Sequence, residues 1–74
     1  MDAEELAALL GTAFRSAARN DRVRDVNLFG IRYAAELEQC GVGCRELIRL
    51  AGLPEGYAAE LAKGMRLAGL VTLR

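Results

Sequence analysis

Residues 45–64 read RELIRLAGLPEGYAAELAKG and predict two α-helices joined by a tight turn. The first helix is expected to span about residues 44–51, because apolar side chains recur there at helical spacing. Gly52 ends it, since the turn needs a positive φ that glycine adopts without strain. Pro54 and Glu55 then start the second helix, because both residue types are favoured in a first turn.

The second helix of this pair is expected to end near Gly69, a glycine that follows the last apolar position of the helical pattern. The apolar residues 70–73 beyond it predict a short extended tail, which packs on the core or adds a strand. Within the helix, the apolar stripe is expected to consist of Ala58, Leu61, Ala62, Met65 and Ala68.

Earlier in the chain, residues 3–18 carry apolar side chains at helical spacing and predict a first helix. Asp2 stands at its N-cap position, and Glu5 three residues later completes a capping-box pattern. Residues 20–25 are rich in Asn, Asp and Arg and are expected to form a solvated loop, with its cations suitably placed after a helix C-terminus.

Another helix is expected to begin with Asn27 as its N-cap and to end near Gln39, with Gly41 as a left-handed C-cap. Its first half is apolar on more than one side, which places it centrally among the helices. Gly30 within it is unfavourable by about 1 kcal/mol relative to alanine, so a close helix crossing is the natural reason for it.

These segments predict an all-α fold. Leu is commoner than the β-branched Ile and Val, which lose more rotamer freedom in a helix. A chain of 74 residues has room for one core. We therefore predict one domain over residues 1–74, a compact four-helix fold whose last two helices resemble a helix-turn-helix, with a short extended C-terminal tail. The predicted core is Leu6, Leu10, Phe14, Leu28, Ile31, Leu47, Ile48, Leu61 and Met65.

The charges of the chain balance, with ten basic and ten acidic residues. Because no Lys/Arg-rich tail is present, strong non-specific binding to nucleic acid is not expected. Apolar runs are only a few residues long, which predicts no membrane segment, and the first residues are acidic where a signal peptide is basic. The expected location is the cytoplasm.

The residue types available restrict the chemistry. The chain has no histidine and two cysteines, Cys40 and Cys44. Histidine-dependent nucleophiles and bases are therefore excluded, and two thiols cannot complete a four-ligand zinc site. We expect no catalysis, no metal, no cofactor and no small-molecule substrate. The two cysteines are interpreted as small apolar residues near a turn.

A few positions of the helical pair carry a family resemblance: Ile48, Gly52, Leu53, Ala58 and Leu61. With these residues the stretch resembles the helix-turn-helix of small bacterial and phage repressors. The run from Leu28 to Gly64, about half of the chain, also looks like small bacterial HTH-like domains. The resemblance implies two helices packed at a steep angle, and DNA binding of the transcriptional-regulator type as one function.

The residues that begin the second helix differ from those that read DNA. Base edges and phosphates are usually contacted there by amide, hydroxyl or basic side chains. Here the positions hold Pro54, Glu55, Gly56 and Tyr57, and a carboxylate repels phosphate. If DNA is nevertheless bound, the expected contacts are Arg22, Arg24, Arg45, Arg49, Tyr57, Lys63 and Arg66.

The balanced charge favours a second function, that of a non-enzymatic module for protein-protein contact or self-association. A small core gains stability from association, and an apolar tail offers a contact surface. Tyr57 is expected either to join that surface or to pack in the core. The predicted contact residues for a protein partner are Tyr57, Leu70, Val71 and Leu73.

Overall fold

A computed structural model describes residues 1–70 of the chain. It consists of five α-helices and one 3₁₀ turn, and no strand occurs among these residues. The all-α prediction is therefore confirmed. The helices are α1 (Ala3–Ser16), α2 (Arg22–Arg32), α3 (Ala34–Gln39), α4 (Cys44–Leu50) and α5 (Tyr57–Leu67), with the 3₁₀ turn at Arg19–Asp21 between α1 and α2.

Helix α1 begins with the capping box that the sequence predicts. The backbone N–H of Glu5 donates to Asp2 Oδ1 at 2.8 Å, and the N–H of Asp2 donates to Glu5 Oε1 at 3.3 Å. Two N–H groups that lack helical partners are thereby satisfied. The helix ends at Ser16, two residues before the predicted end, and Ala17 has extended backbone angles.

The start of α2 differs from the prediction. Its first residue is Arg22, so most of the predicted loop is helical, and Asn27 lies inside the helix and not at its N-cap. The Asn27 amide donates to the Val23 carbonyl and to Glu60 Oε1 on α5, each at 2.9 Å. This second bond links residues 33 positions apart, which explains why local sequence did not reveal it.

The predicted second helix is divided in two at Tyr33, giving five helices where four are expected. Tyr33 has φ −108° and ψ 21°, outside the helical region, although its N–H still donates to the Phe29 carbonyl. The side-chain rings of Phe29 and Tyr33 also contact each other, with centroids 4.6 Å apart. The change of direction turns Leu37 on α3 into the core. After α3, Gly41 has φ 87°, as expected of a left-handed cap.

Between α4 and α5 the chain makes the predicted tight turn. Gly52 has φ 76°, and the N–H groups of Gly52 and Leu53 donate to the carbonyls of Arg49 and Ile48. This pair of bonds is the Schellman motif, which satisfies carbonyls at a helix end. Pro54 does not begin α5, which starts three residues later at Tyr57.

The core contains most of the predicted residues, and the differences follow from how α2 is oriented. Leu28 was expected inside but is 40% exposed, while Ile31 and Met65 are partly buried. Val26 and Phe29, on a different side of α2, face the core instead. The buried apolar residues are Leu6, Ala7, Leu10, Phe14, Val26, Phe29, Leu37, Leu47, Ile48 and Leu61.

The most extensive helix contact joins α2 and α5, and two glycines make it possible. A Cβ atom placed at Gly30 would lie 3.1 Å from the Cα of Gly64. A Cβ at Gly30 would also stand only 2.5 Å from the Leu61 carbonyl oxygen. The predicted close crossing at Gly30 is thus present, and Gly64 is its counterpart on α5.

Candidate functional site

The helix-turn-helix half presents a shallow cleft beside the turn. Ile48 and Leu53 form its apolar floor, and their positions follow from the Schellman motif that ends α4. The cleft has a volume of about 310 Å³. Charged side chains line the rest of it, two of each sign: Arg45, Glu46, Arg49 and Glu55.

Each arginine of this cleft is paired with a carboxylate. Arg45 Nε lies 2.8 Å from Glu55 Oε1, across the turn that leads to α5. Arg49 binds Glu46 one helical turn away, and this hydrogen bond, together with the attraction of the two charges, raises the pKa of Arg49 above its ordinary value. The cleft therefore presents a locally neutral set of charges.

Two further predicted DNA contacts, Arg22 and Arg24, are also engaged within the chain. Arg24 lies 3.4 Å from an Asp21 carboxylate oxygen and 3.6 Å from one of Asp25. Arg22 places its guanidinium carbon 4.8 Å from the centre of the Phe14 ring, a cation–π contact at the edge of the core. The cations of the predicted loop thus contact carboxylates and a ring within the chain.

Lys63 and Arg66 differ from the other candidates. Both are exposed on α5, and within residues 1–70 neither forms an ion pair. Lys63 and Arg66 are three positions apart in the sequence, so they lie on neighbouring parts of one helix face. Glu60, the carboxylate nearest to them on α5, accepts a hydrogen bond from Asn27 and so faces α2.

Tyr57 packs against the core, although the sequence places it equally among the contact residues. Its ring meets the Phe14 ring edge-on, with centroids 4.9 Å apart and planes at 82°. It is the first residue of α5 and is partly buried. The contact holds the start of α5 against α1.

The predicted apolar tail is only partly described. Leu70 is 81% exposed, so its side chain is available for contact. Val71 and Leu73 lie outside the described residues. The contact role of these three residues stays a prediction.

A second apolar surface lies between α1 and α2, where the sequence predicted none. Leu9 and Leu28, each 40% exposed, lie beside Phe29 and Tyr33 in a groove of about 400 Å³. Ala13, Asp25 and Arg32 complete its lining. The signal available in the sequence was the excess of apolar residues on more than one side of residues 28–37.

The two cysteines are free thiols near the turn before α4. Cys44 lies with its Sγ 3.5 Å from the sulfur of Met65. Burial, and secondarily the proximity of Cys40, raises the pKa of the Cys44 thiol, so it is protonated at neutral pH. In the part of the chain that the structure describes, no three potential metal ligands of the His, Cys, Asp and Glu types lie together.

A family model described as an HTH-like domain matches residues 2–74, a longer stretch than the half that the sequence resemblance covers. No curated protein and no solved structure matches the chain. Over residues 1–70, every helix is too short or too polar to cross a bilayer.

Proposed function

The chain belongs to the family of HTH-like domains, and on this premise we propose that it is a non-enzymatic module for protein-protein contact, including self-association. The observation that carries the proposal is the Arg45–Glu55 ion pair at the entrance to α5. A DNA-reading helix directs this end at bases and phosphates. Here a phosphate would meet a carboxylate beside each arginine of the cleft.

Arginines that are paired with carboxylates attract DNA only weakly, because the field of an ion pair extends a short distance. Salt screens exposed charges over about 10 Å at 0.1 M ionic strength, and a cation beside an anion has a weaker field than a cation alone. Arg45 and Arg49 therefore add little attraction for a polyanion. Arginines and carboxylates around the apolar floor of Ile48 and Leu53 suit a protein surface, which carries charges of both signs.

Exposed apolar side chains give the proposal its second support. Leu9 and Leu28 share one groove, and Leu70 is largely exposed. Apolar patches with polar surroundings are typical of protein interaction sites. DNA-binding surfaces are instead polar and strongly positive.

DNA binding is the second candidate function, favoured by the exposed Lys63 and Arg66 on α5. Two phosphate contacts give a salt slope of only about −2, which corresponds to weak and non-specific association. This mode of binding would leave the cleft uninvolved.

Anisotropy of a labelled DNA duplex, titrated with protein in 50 mM and 150 mM salt, tests the proposal. The native chain is expected to show no saturable binding. Replacing Glu46 and Glu55 by glutamine frees two arginines and is expected to raise DNA affinity at 50 mM salt by about tenfold. The matched control, E36Q/E38Q on α3, makes the same change in net charge away from the cleft and should have a smaller effect.

Two results would refute the proposal. One is saturable, steeply salt-dependent binding of DNA by the native chain that is lost in K63Q/R66Q. The other is equal affinity of E46Q/E55Q and its control, which would show that the ion pairs do not mask the arginines.

A further inference from the structure

The groove between α1 and α2 combines an apolar centre with one charge of each sign. We propose that it binds a second copy of this chain, with the two α2 helices antiparallel about a two-fold axis between Leu28 and Phe29. The inference rests on the proposed function and deepens it by naming the partner and the surface.

The apolar centre provides the driving force. Leu28 of α2 and Leu9 of α1 each leave 40% of their surface exposed, and both line the groove together with Ala13. Removing such side chains from water is the main favourable contribution to protein association. In an antiparallel pair about this axis, the two Leu28 side chains lie on either side of the axis, close to each other and to the Leu9 side chains.

The charges make the groove complementary to itself. Asp25 and Arg32 are seven residues apart on α2, two helical turns or about 10.5 Å, and flank Leu28 on one helix face. A two-fold axis between Leu28 and Phe29 brings Asp25 of one copy opposite Arg32 of the other. The same operation creates the equivalent second pair, as required of an isologous interface.

The position of the charges favours a second copy over an unrelated protein. An acid on one side of the exposed Leu28 and a base on the other make this helix face complementary to itself in an antiparallel pair, which an unrelated partner does not require. The Asp25 side chain is also 28% exposed, so a second arginine can reach its carboxylate. Its neighbour Arg24 is exposed, lies 3.6 Å away and is shared with Asp21, so the Asp25 carboxylate is incompletely paired.

The interface is small, and its affinity should be correspondingly modest. A standard interface of about 800 Å² per partner would cover roughly one sixth of the 4770 Å² surface of the described residues. The groove and its rim are smaller than that. We expect a reversible monomer–dimer equilibrium in the micromolar range.

Sedimentation equilibrium of the full chain over a wide concentration range tests the proposal. The native chain is expected to shift from monomer to dimer. Asp25→Lys and Arg32→Glu should each weaken dimerisation at least tenfold, because each variant places two pairs of like charges in its own dimer. An equimolar mixture of the two variants should dimerise again, since both cross-pairs in the mixed dimer are attractive.

Control variants and folding checks keep the result interpretable. Arg19→Glu and Glu38→Lys reverse exposed charges outside the groove and should leave dimerisation unchanged. Circular dichroism of each variant checks that the helices are intact. Recovery in the mixture also separates charge complementarity from a folding defect, which mixing does not repair.

The inference and the proposed function fail separately. A native chain that stays monomeric at the highest concentration, or a dimer that Asp25→Lys and Arg32→Glu leave intact, overturns the inference. So does a mixture that stays monomeric while both variants are folded. A monomer that does not bind DNA leaves the proposed function standing. A dimer that binds DNA through Lys63 and Arg66 supports the inference and refutes the part of the proposed function that excludes DNA binding.

Discussion

Gly64→Ala is expected to lower the free energy of unfolding by about 3 kcal/mol, a large fraction of the stability of so small a domain. A Cβ at this position would lie far closer to the Asn27 carbonyl oxygen than van der Waals contact allows, and 3.1 Å from the Cα of Gly30. Both obstacles are backbone, so α2 and α5 must separate. Urea denaturation followed by circular dichroism measures the loss.

Gly56→Ala is the matched control for this substitution. Gly56 precedes α5, has φ −56° and ψ −23°, and a Cβ there would meet no atom within 4 Å. We expect unchanged or slightly higher stability, because alanine restricts the unfolded chain. Similar urea midpoints for Gly64→Ala and Gly56→Ala would contradict the close crossing of α2 and α5.

Phe14→Ala is expected to destabilise the domain by about 3–4 kcal/mol. Phe14 is 9% exposed, and its ring contacts Tyr57 edge-on and lies beneath the Arg22 guanidinium. The substitution leaves a cavity and removes both contacts, so the start of α5 loses its support on α1. Thermal and urea unfolding both report the loss.

Tyr57→Phe removes the hydroxyl group but keeps the ring, so it measures the contribution of the hydroxyl group to stability. The ring edge supplies the contact with Phe14, and we expect this variant to differ from the native chain by less than about 0.5 kcal/mol. Tyr57→Ala should lose clearly more. A Phe14→Ala variant as stable as the native chain would show that the Phe14–Tyr57 contact does not anchor α5.

Apart from most of the core and the close crossing at Gly30, the features predicted correctly from the sequence are those set by near neighbours in the chain. The Asp2–Glu5 capping box needs four consecutive residues, and the left-handed glycines Gly41 and Gly52 follow helices whose apolar spacing is clear. The turn of the helix-turn-helix half belongs to this class. These interactions form within one or two helical turns, so sequence spacing describes them fully.

The errors concern residues whose position depends on distant contacts. Asn27 has the residue type of an N-cap, but its amide binds Glu60 on another helix. Leu28 was assigned to the core because it is a leucine in an apolar run, although α2 turns a different side, with Val26 and Phe29, toward the core. Helical periodicity gives the width of an apolar face but not its direction when a helix is apolar on several sides.

In the candidate site, too, the contact between near neighbours was predictable from the sequence and the contact between more distant residues was not. Glu46 and Arg49 are three residues apart on one helix, a spacing from which a pair is expected. Arg45 and Glu55 are ten residues apart and meet only because the Schellman turn folds the chain back. The sequence predicted that Glu55 is unfavourable to DNA, but it did not show that the same residue pairs with Arg45, a predicted DNA contact.

Amide NMR spectra of the ¹⁵N-labelled chain test the central claim most directly, first recorded across protein concentrations and then with a DNA duplex added in 50 mM salt. The account predicts concentration-dependent shifts at Leu9, Asp25, Leu28 and Arg32 around the α1–α2 groove, and no shifts with DNA. Spectra that are independent of concentration but show DNA-induced shifts along residues 54–66 would contradict the account.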